Sequence, residues 1–267
     1  MTMEIGWGRI TALVGPNAAG KSTLIKTWVG FERPTQGRVQ VGGIDPWRNR
    51  GEAVALTAYL PQVPALYPEL SAAEHVDLAQ HYRPGLDRAE ARSRLANLDV
   101  PLDRPAKALS GGQMAQLGLA IALATHAPIL LLDEPMASLD PLARREFIDA
   151  LRDGVREAGA SAVLSSHVVS DIEQAADWLV VLGVGHKLLD MSIEEATSQH
   201  RVARHGEQMV DGEKAIASLP GQRGCLVRTE SRTGTGQGAS LEDVVMGYLA
   251  MDRVSHASER ALTSVAE

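Results

Sequence analysis

The sequence predicts an α/β protein with a mainly parallel core sheet flanked by helices, an inserted helical subdomain and a small C-terminal extension. Three observations predict it. Short apolar runs alternate with helical patterns, the arrangement that yields a parallel sheet covered on both faces. A glycine-containing turn, G-P-N-A-A-G-K-S-T, joins the first apolar run to a helix. A later run, I-L-L-L-D-E, ends in the adjacent carboxylates Asp133 and Glu134.

The elements follow in order. Residues 10–14 (ITALV) are apolar and stop at Gly15, as a buried strand would. A helix is expected over 20–29, stopped by Gly30 with Pro34 beyond it. Residues 39–41 and 55–60 read as further strands. Ser71 opens S-A-A-E, a capping box with Glu74, and a polar helical pattern runs on to about residue 98, broken by Pro84 and Gly85. A helix over 112–125 leads to a strand over 129–132. Asp140 and Pro141 suit the N-cap and first position of a helix reaching about residue 158. A strand over 162–165, a helix over 168–176 and a strand over 179–182 follow.

After about Asp190 the character changes. Residues 221–240 are rich in Gly, Ser, Thr and Arg with little periodicity, and S-L-E-D-V-V-M-G-Y-L reads as a closing helix. The residues from Asp252 on are expected to fray. The implied organisation is a main domain over 1–190, a helical subdomain at about 71–118 and an extension over 191–267.

Composition narrows the function classes. Hydrophobic residues make up 45% of the 267 and aromatics only 4%, so the core is aliphatic. A formal charge of −7 gives no support to a broad nucleic-acid-binding surface. Cys225 is the single cysteine, which excludes an internal disulfide and a cysteine-rich metal site. The start, MTMEIGWGRI, lacks the pattern of a signal peptide. The most apolar stretch, 117–132, is interrupted by Thr125, His126 and Pro128, whereas a membrane span needs about 20 predominantly apolar residues. A soluble chain that meets a membrane through a partner is expected.

The turn Gly15, Pro16, Asn17, Ala18, Ala19, Gly20, Lys21, Ser22 and Thr23 matches G-x-x-x-x-G-K-[ST] in the strand-to-helix context that motif requires. A phosphate chain needs many donors in a small concave space, and backbone N–H groups opening onto a helix N-terminus supply them. Lys21 can reach the β- and γ-phosphates of ATP, Ser22 can ligate Mg²⁺ and Thr23 can reach the α-phosphate. Asp133 can hold the Mg²⁺ shell and Glu134 can polarise the attacking water as general base. Both stand at the C-terminal end of a strand, the edge at which open α/β sheets bind ligands.

Between these motifs stands Leu109-Ser110-Gly111-Gly112-Gln113, and with it the chain resembles the ABC (ATP-binding cassette) ATPases, a group of P-loop NTPases. In that family L-S-G-G-Q is the signature. The resemblance implies that Ser110, Gly111, Gly112 and Gln113 contact the γ-phosphate bound to an opposite subunit. From the residues alone, Ser110 can cap a helix and leave N–H groups open to an anion. Smaller matches keep the family's order. Gln62 in Y-L-P-Q resembles the Q-loop glutamine, which senses Mg²⁺ and the attacking water. Asp140 in S-L-D resembles the D-loop, and His167 in L-S-S-H the switch histidine. The resemblance covers about 8–190, and the closing S-L-E-D-V-V-M-G-Y-L is similar to the tail of bacterial drug and antibiotic exporter ATPases.

The resemblance implies an ATPase that powers an ABC transporter as a homodimer or paired nucleotide-binding domain. Its partner would be a membrane-spanning permease, with no nucleic acid, and its place cytoplasmic, peripheral on the inner face of the membrane. The segment from Tyr67 and Pro68 to Glu74 is the expected docking surface. A soluble ABC-type ATPase acting on nucleic acid or ribosomes is the alternative. It fits less well because no heptad run separates the motifs.

Departures from the family pattern are few. Ala18 replaces a common glycine and fits if its φ is negative. Met114 and Ala115 stand where basic residues are frequent. The family's upstream strand and adenine-stacking aromatic have no counterpart, since Trp7 stands too close to the first strand. A shortened start, another stacking side chain or reduced affinity would each account for this. A version with an added upstream strand is expected to bind ATP more tightly, and titration of both forms checks it.

Overall fold

The computed structural model describes residues 1–204, 206–222, 224–229 and 237–264, with only the backbone at 222, 237 and 256–264. The chain divides into two compact units. The smaller comprises Met1–Met3, Leu13–Gly20 and His167–Glu267, and the larger comprises Glu4–Ala12 and Lys21–Ser166. Strand β1, Ile10–Val14, is fully buried and passes from the larger unit into the smaller.

In the larger unit β1 leads, through the glycine turn, to α1 (Lys21–Val29), then α2 (Arg50–Leu56) and β2 (Thr57–Leu60). The helices α3 (Ala72–Tyr82), α4 (Arg88–Asn97) and α5 (Gly111–Leu123) follow, then β3 (Ile129–Asp133), α6 (Pro141–Ala158) and β4 (Ser161–Ser166). Strands β2, β3 and β4 are parallel neighbours, with Leu60 opposite Leu132 and Asp133 opposite Ser165. The start of β1 lies beside β4, where the Ala162 N–H donates to the Arg9 carbonyl at 3.0 Å. Burial on both faces explains why these strands read as continuous apolar runs.

The bundle of α3, α4 and α5 has its own core. Val76, Leu86, Leu95, Leu109 and Leu117 bury together, each side chain contributing roughly 1.5–3 kcal/mol. Its helix starts are written in the sequence. Ser71 and Glu74 form the expected capping box, and Ser110 and Gln113 form another. Asp140 caps α6 with Pro141 in the first turn, and Gly159 ends it in the left-handed conformation.

In the smaller unit, α7 (Val169–Ala175) precedes β5 (Trp178–Leu182), which pairs antiparallel with β6 (Lys187–Ser192). Then come α8 (Ile193–Ser198), β7 (His200–Ala203), β8 (Glu213–Ser218), β9 (Cys225–Thr229), β10 (Gln237–Gly238) and α9 (Leu241–Ser264). Strands β10-β7-β9-β8 form an antiparallel sheet in that order. Inside it, His200 donates through Nδ1 to the Ala196 carbonyl and accepts the Tyr248 hydroxyl proton at Nε2. Burial pushes the His200 ring below its usual range, which keeps it neutral.

Several sequence expectations are corrected. Residues 39–41 form no strand: Val41 makes only an isolated bridge to Ile44. Ala55 and Leu56 close helix α2, and the strand begins at Thr57. The stretch 221–240 contains β9 and β10, with 223 and 230–236 outside the described residues. The closing helix does not fray at Asp252 but continues to Ser264; 265–267 lie outside the described residues. Asp252 is held by His186, whose Nε2 is 2.9 Å from its Oδ1. Among the described residues no helix is long and apolar enough to cross a membrane.

The buried Arg201 braces the antiparallel sheet, donating to both Glu213 oxygens at 2.6 and 2.7 Å and to Glu207 at 2.7 Å. That guanidinium, helped by the Val210 N–H, holds the Glu213 carboxyl down at about 2 from an ordinary 4.5. A depressed carboxyl contributes stability that is present above its ordinary value and lost as pH falls through the folded one. Protection of β7, β8 and β9 from hydrogen exchange should therefore decline between pH 4.5 and about 2. In Glu213→Gln that pH-dependent decline should be largely absent, with lower protection at neutral pH.

Candidate active site

The glycine turn is shaped by close approach and by backbone sign. Gly15 follows β1, and a Cβ on it would lie 2.6 Å from the Leu182 carbonyl oxygen, so only glycine fits without a shift. The Pro16 carbonyl accepts the Ala19 N–H at 3.1 Å, closing a tight turn. Gly20 has φ +96°. Ala18 corrects the expectation of a negative φ: it sits at +68°, a left-handed position costing an L-residue roughly 1–2 kcal/mol. Asn17, Ala18 and Thr23 are exposed, with Pro16 half-buried. The turn opens onto α1, whose first-turn N–H groups have no acceptor within the helix.

The larger unit gathers the charged groups. The Lys21 side chain, 5% exposed, places Nζ 3.2 Å from Glu134 Oε1. The Ser22 hydroxyl donates to Asp133 Oδ1 at 2.9 Å. Strand β3 delivers Asp133 buried at its end, and Glu134 follows with φ +46°. For a residue with a side chain that backbone costs on the order of 1–3 kcal/mol. Burial pushes the Tyr59 hydroxyl above its ordinary value, and the charge of Asp133 adds to the shift.

Sequence reasoning missed Ser165. Its hydroxyl donates to Asp133 Oδ1 at 3.0 Å and accepts the Glu134 N–H at 2.8 Å. The available signal was a polar residue at the end of the apolar run A-V-L-S-S, but its partner depends on strand register. A serine hydroxyl against a carboxylate is the hard-oxygen donor set that suits Mg²⁺, so Ser22 and Asp133 fit that ion.

A second cluster lies on the same unit. Ser110 Oγ accepts the Gln113 N–H at 3.1 Å, and Gln113 Oε1 accepts the Ser110 N–H at 3.0 Å. The cap is as expected, but it uses two of the N–H groups anticipated for an anion; those of Gly111 and Gly112 have no acceptor within the helix. A Cβ on Gly112 would lie 3.0 Å from Ala143 Cβ, so the signature turn packs on the start of α6. There Asp140 Oδ1 accepts from Leu142 and Ala143 at 3.0 Å each. Ser110, Gly111, Ser138 and Asp140 are all exposed. Gln62 stands exposed in the loop after β2, and His167 is exposed immediately after β4.

The Gly15 contact carries a test. Gly15→Ala should displace the turn and weaken binding of a fluorescent nucleoside triphosphate on the order of tenfold or more. Equilibrium titration, with circular dichroism as the check on folding, measures it.

Comparison with known proteins agrees with this geometry. The profile of the family described as "ABC transporter" matches residues 1–137. The chain is 34% identical over 209 residues to the thiamine import ATP-binding protein ThiQ of Jannaschia sp. (strain CCS1), covering 74% of this chain and 88% of that protein. It is 36% identical over 179 residues to the "Probable multidrug ABC transporter ATP-binding protein YbhF" of Escherichia coli (strain K12), covering 65% of this chain and 31% of that protein. Of several curated relatives the chain spans only about a third to two thirds of the length. A solved ATP-binding subunit of an ABC transporter superposes with a TM-score of 0.63 at 30% identity, covering 72% of this chain and 82% of that one. A family model over residues 1–137, a relative 34% identical over 74% of this chain and a solved ATP-binding subunit at 30% identity show that the chain belongs to the ABC transporter family as an ATP-binding domain of the ABC ATPase type.

Proposed function

We propose that the chain hydrolyses ATP to power a membrane permease, working as one of two paired nucleotide-binding domains. The observation that carries this reading is the convergence of Lys21, Ser22, Asp133 and Glu134 within hydrogen-bond or ion-pair reach. In this reading 1–190 is the nucleotide-binding domain, with the helical subdomain at about 71–118, and 191–267 is an extension.

The chemistry follows from charge. Lys21 is buried and Glu134 half-buried, so each group needs a partner of opposite charge. A γ-phosphate gives Lys21 a stronger partner and releases Glu134 to accept a hydrogen bond from water. That water attacks the γ-phosphorus as the bond to the β–γ bridging oxygen breaks, and its proton passes to Glu134. Mg²⁺, when bound, would be held by Ser22, Asp133 and Gln62 and would supply charge neutralisation to the phosphates. Gly15 to Gly20 and Thr23 supply amide and hydroxyl donors along the triphosphate. His167 orients the water. The signature residues Ser110 to Gln113, packed on the start of α6 beside Asp140, present the Gly111 and Gly112 N–H groups to a nucleotide on a second copy.

Partner docking is assigned to the segment from Tyr67 to Glu74. Tyr67 is 60% exposed while its N–H is held by His75 Nε2 at 2.9 Å, so the loop presents an apolar side chain on a fixed backbone. The Leu70 and Pro68 carbonyls accept from Ala106 and Lys107, tying this loop to the segment that leads into Ser110. We place the chain on the cytoplasmic face of the membrane through that partner. The export direction rests on the tail's similarity to drug exporters and on the name of YbhF; the name of ThiQ supports import instead. Vesicles with the co-purified permease, assayed for accumulation or extrusion, separate the two.

Glu134→Gln removes the proposed base while keeping shape and hydrogen bonding. Turnover should fall by about 10²–10⁴-fold, and size-exclusion chromatography with ATP should show a dimer. A monomer under those conditions, or turnover at the wild-type rate, contradicts the mechanism.

A further inference from the structure

The geometry points to Ser165 as a positioning residue for both carboxylates, an assignment that rests on the reading of Asp133 and Glu134 given above. Ser165 is 0% exposed and stands on β4 directly opposite Asp133 in the parallel register. A serine hydroxyl has one proton to give and lone pairs to receive. Here the proton goes to Asp133 Oδ1 at 3.0 Å, and the oxygen accepts the Glu134 N–H at 2.8 Å. With both roles taken, the hydroxyl has a single orientation. One side chain thus fixes the carboxylate that faces the cation and the backbone of the base beside it.

The arrangement separates two duties. Asp133 Oδ1 receives protons from both Ser22 and Ser165. A bound cation would take the Ser22 oxygen as a ligand, whereas Ser165, whose oxygen is also tied to the Glu134 N–H, would stay in place and keep Asp133 aimed. Glu134 needs the brace as well. Its φ of +46° is a backbone that side-chain-bearing residues leave when they can. Removing the hydroxyl takes away the acceptor of its N–H and lets the peptide rotate toward negative φ, carrying the carboxylate with it.

The test uses the full chain with Mg²⁺ and ATP, comparing Ser165→Ala, Ser165→Thr, Glu134→Gln and the Ser165→Ala/Glu134→Gln pair. Ser165→Ala should lower kcat by about 10–100-fold and change KM for ATP by less than about threefold. Ser165→Thr, which keeps the hydroxyl, should stay within about threefold of wild-type kcat. The double variant should lose less relative to Glu134→Gln than Ser165→Ala loses relative to wild type, since part of the effect of Ser165 runs through Glu134 and the rest through Asp133. In the nucleotide-free protein, exchange of the amides at 133–137 should quicken in Ser165→Ala while α3 and α4 keep their protection. Wild-type kcat in Ser165→Ala, or equal losses in the Ala and Thr variants, overturns the assignment. If exchange shows Ser165→Ala unfolded throughout, Ser165→Thr decides: turnover near wild type supports the brace and its collapse refutes it. If the wild-type chain fails to hydrolyse ATP, or Glu134→Gln does so at full rate, the reading of the site fails. Exchange at 133–137 then still decides whether Ser165 holds the Glu134 backbone.

Discussion

One carboxylate oxygen, Oδ1 of Asp133, takes protons from two serine hydroxyls that are remote in sequence, Ser22 on α1 and Ser165 on β4. Through them the start of a helix and the ends of two parallel strands meet at one point. Buried carboxylates are costly unless hydrogen-bonded, and a carboxylate held this way is fixed in direction as well as satisfied. The Lys21–Glu134 pair beside it follows the same rule, since neither charge would be tolerated there alone. Apolar strands supply the dry surroundings, and the polar groups at their ends supply the aim.

Among the described residues, four that are not glycine lie in left-handed backbone: Ala18 at φ +68°, Glu134 at φ +46°, Asp99 at φ +52° and His126 at φ +50°. The first belongs to the turn that would receive phosphate and the second to the proposed base. Elsewhere the larger unit follows ordinary economy, with caps at Ser71, Asp87, Ser110 and Asp140 satisfying helix N-termini. One exception is Gln116 on α5: it is buried, and neither amide atom finds a hydrogen bond among the described residues. An unsatisfied buried amide costs about 1–3 kcal/mol.

The smaller unit solves a different problem. Its antiparallel sheet is small, and the buried Arg201 joins it to Glu207 and Glu213 by charge-assisted hydrogen bonds. This polar bracing adds to an apolar core that includes Leu226, Val227 and Val244. The neutral His200, bonded to Tyr248, ties the sheet to α9 in the same manner.

The sequence by itself determined the fold class, the alternation of strands and helices around the glycine turn and the paired carboxylates, and the helix starts at Ser71, Ser110 and Asp140. Those signals are local: apolar runs, capping residues and a glycine turn act over a few neighbours, so their meaning is contained in a short stretch. Strand Ile10–Val14 and the ends of helix Pro141–Ala158 were legible for that reason. Residues 39–41 misled because the alternation Val39, Gln40, Val41 becomes a strand only when a neighbour offers its hydrogen bonds. Tertiary structure alone decided that Ser165 faces Asp133, because register between β3 and β4 is set by packing between strands. It also decided that Gly112 packs on Ala143 and that Glu134 takes a positive φ, since each depends on atoms brought from elsewhere in the chain.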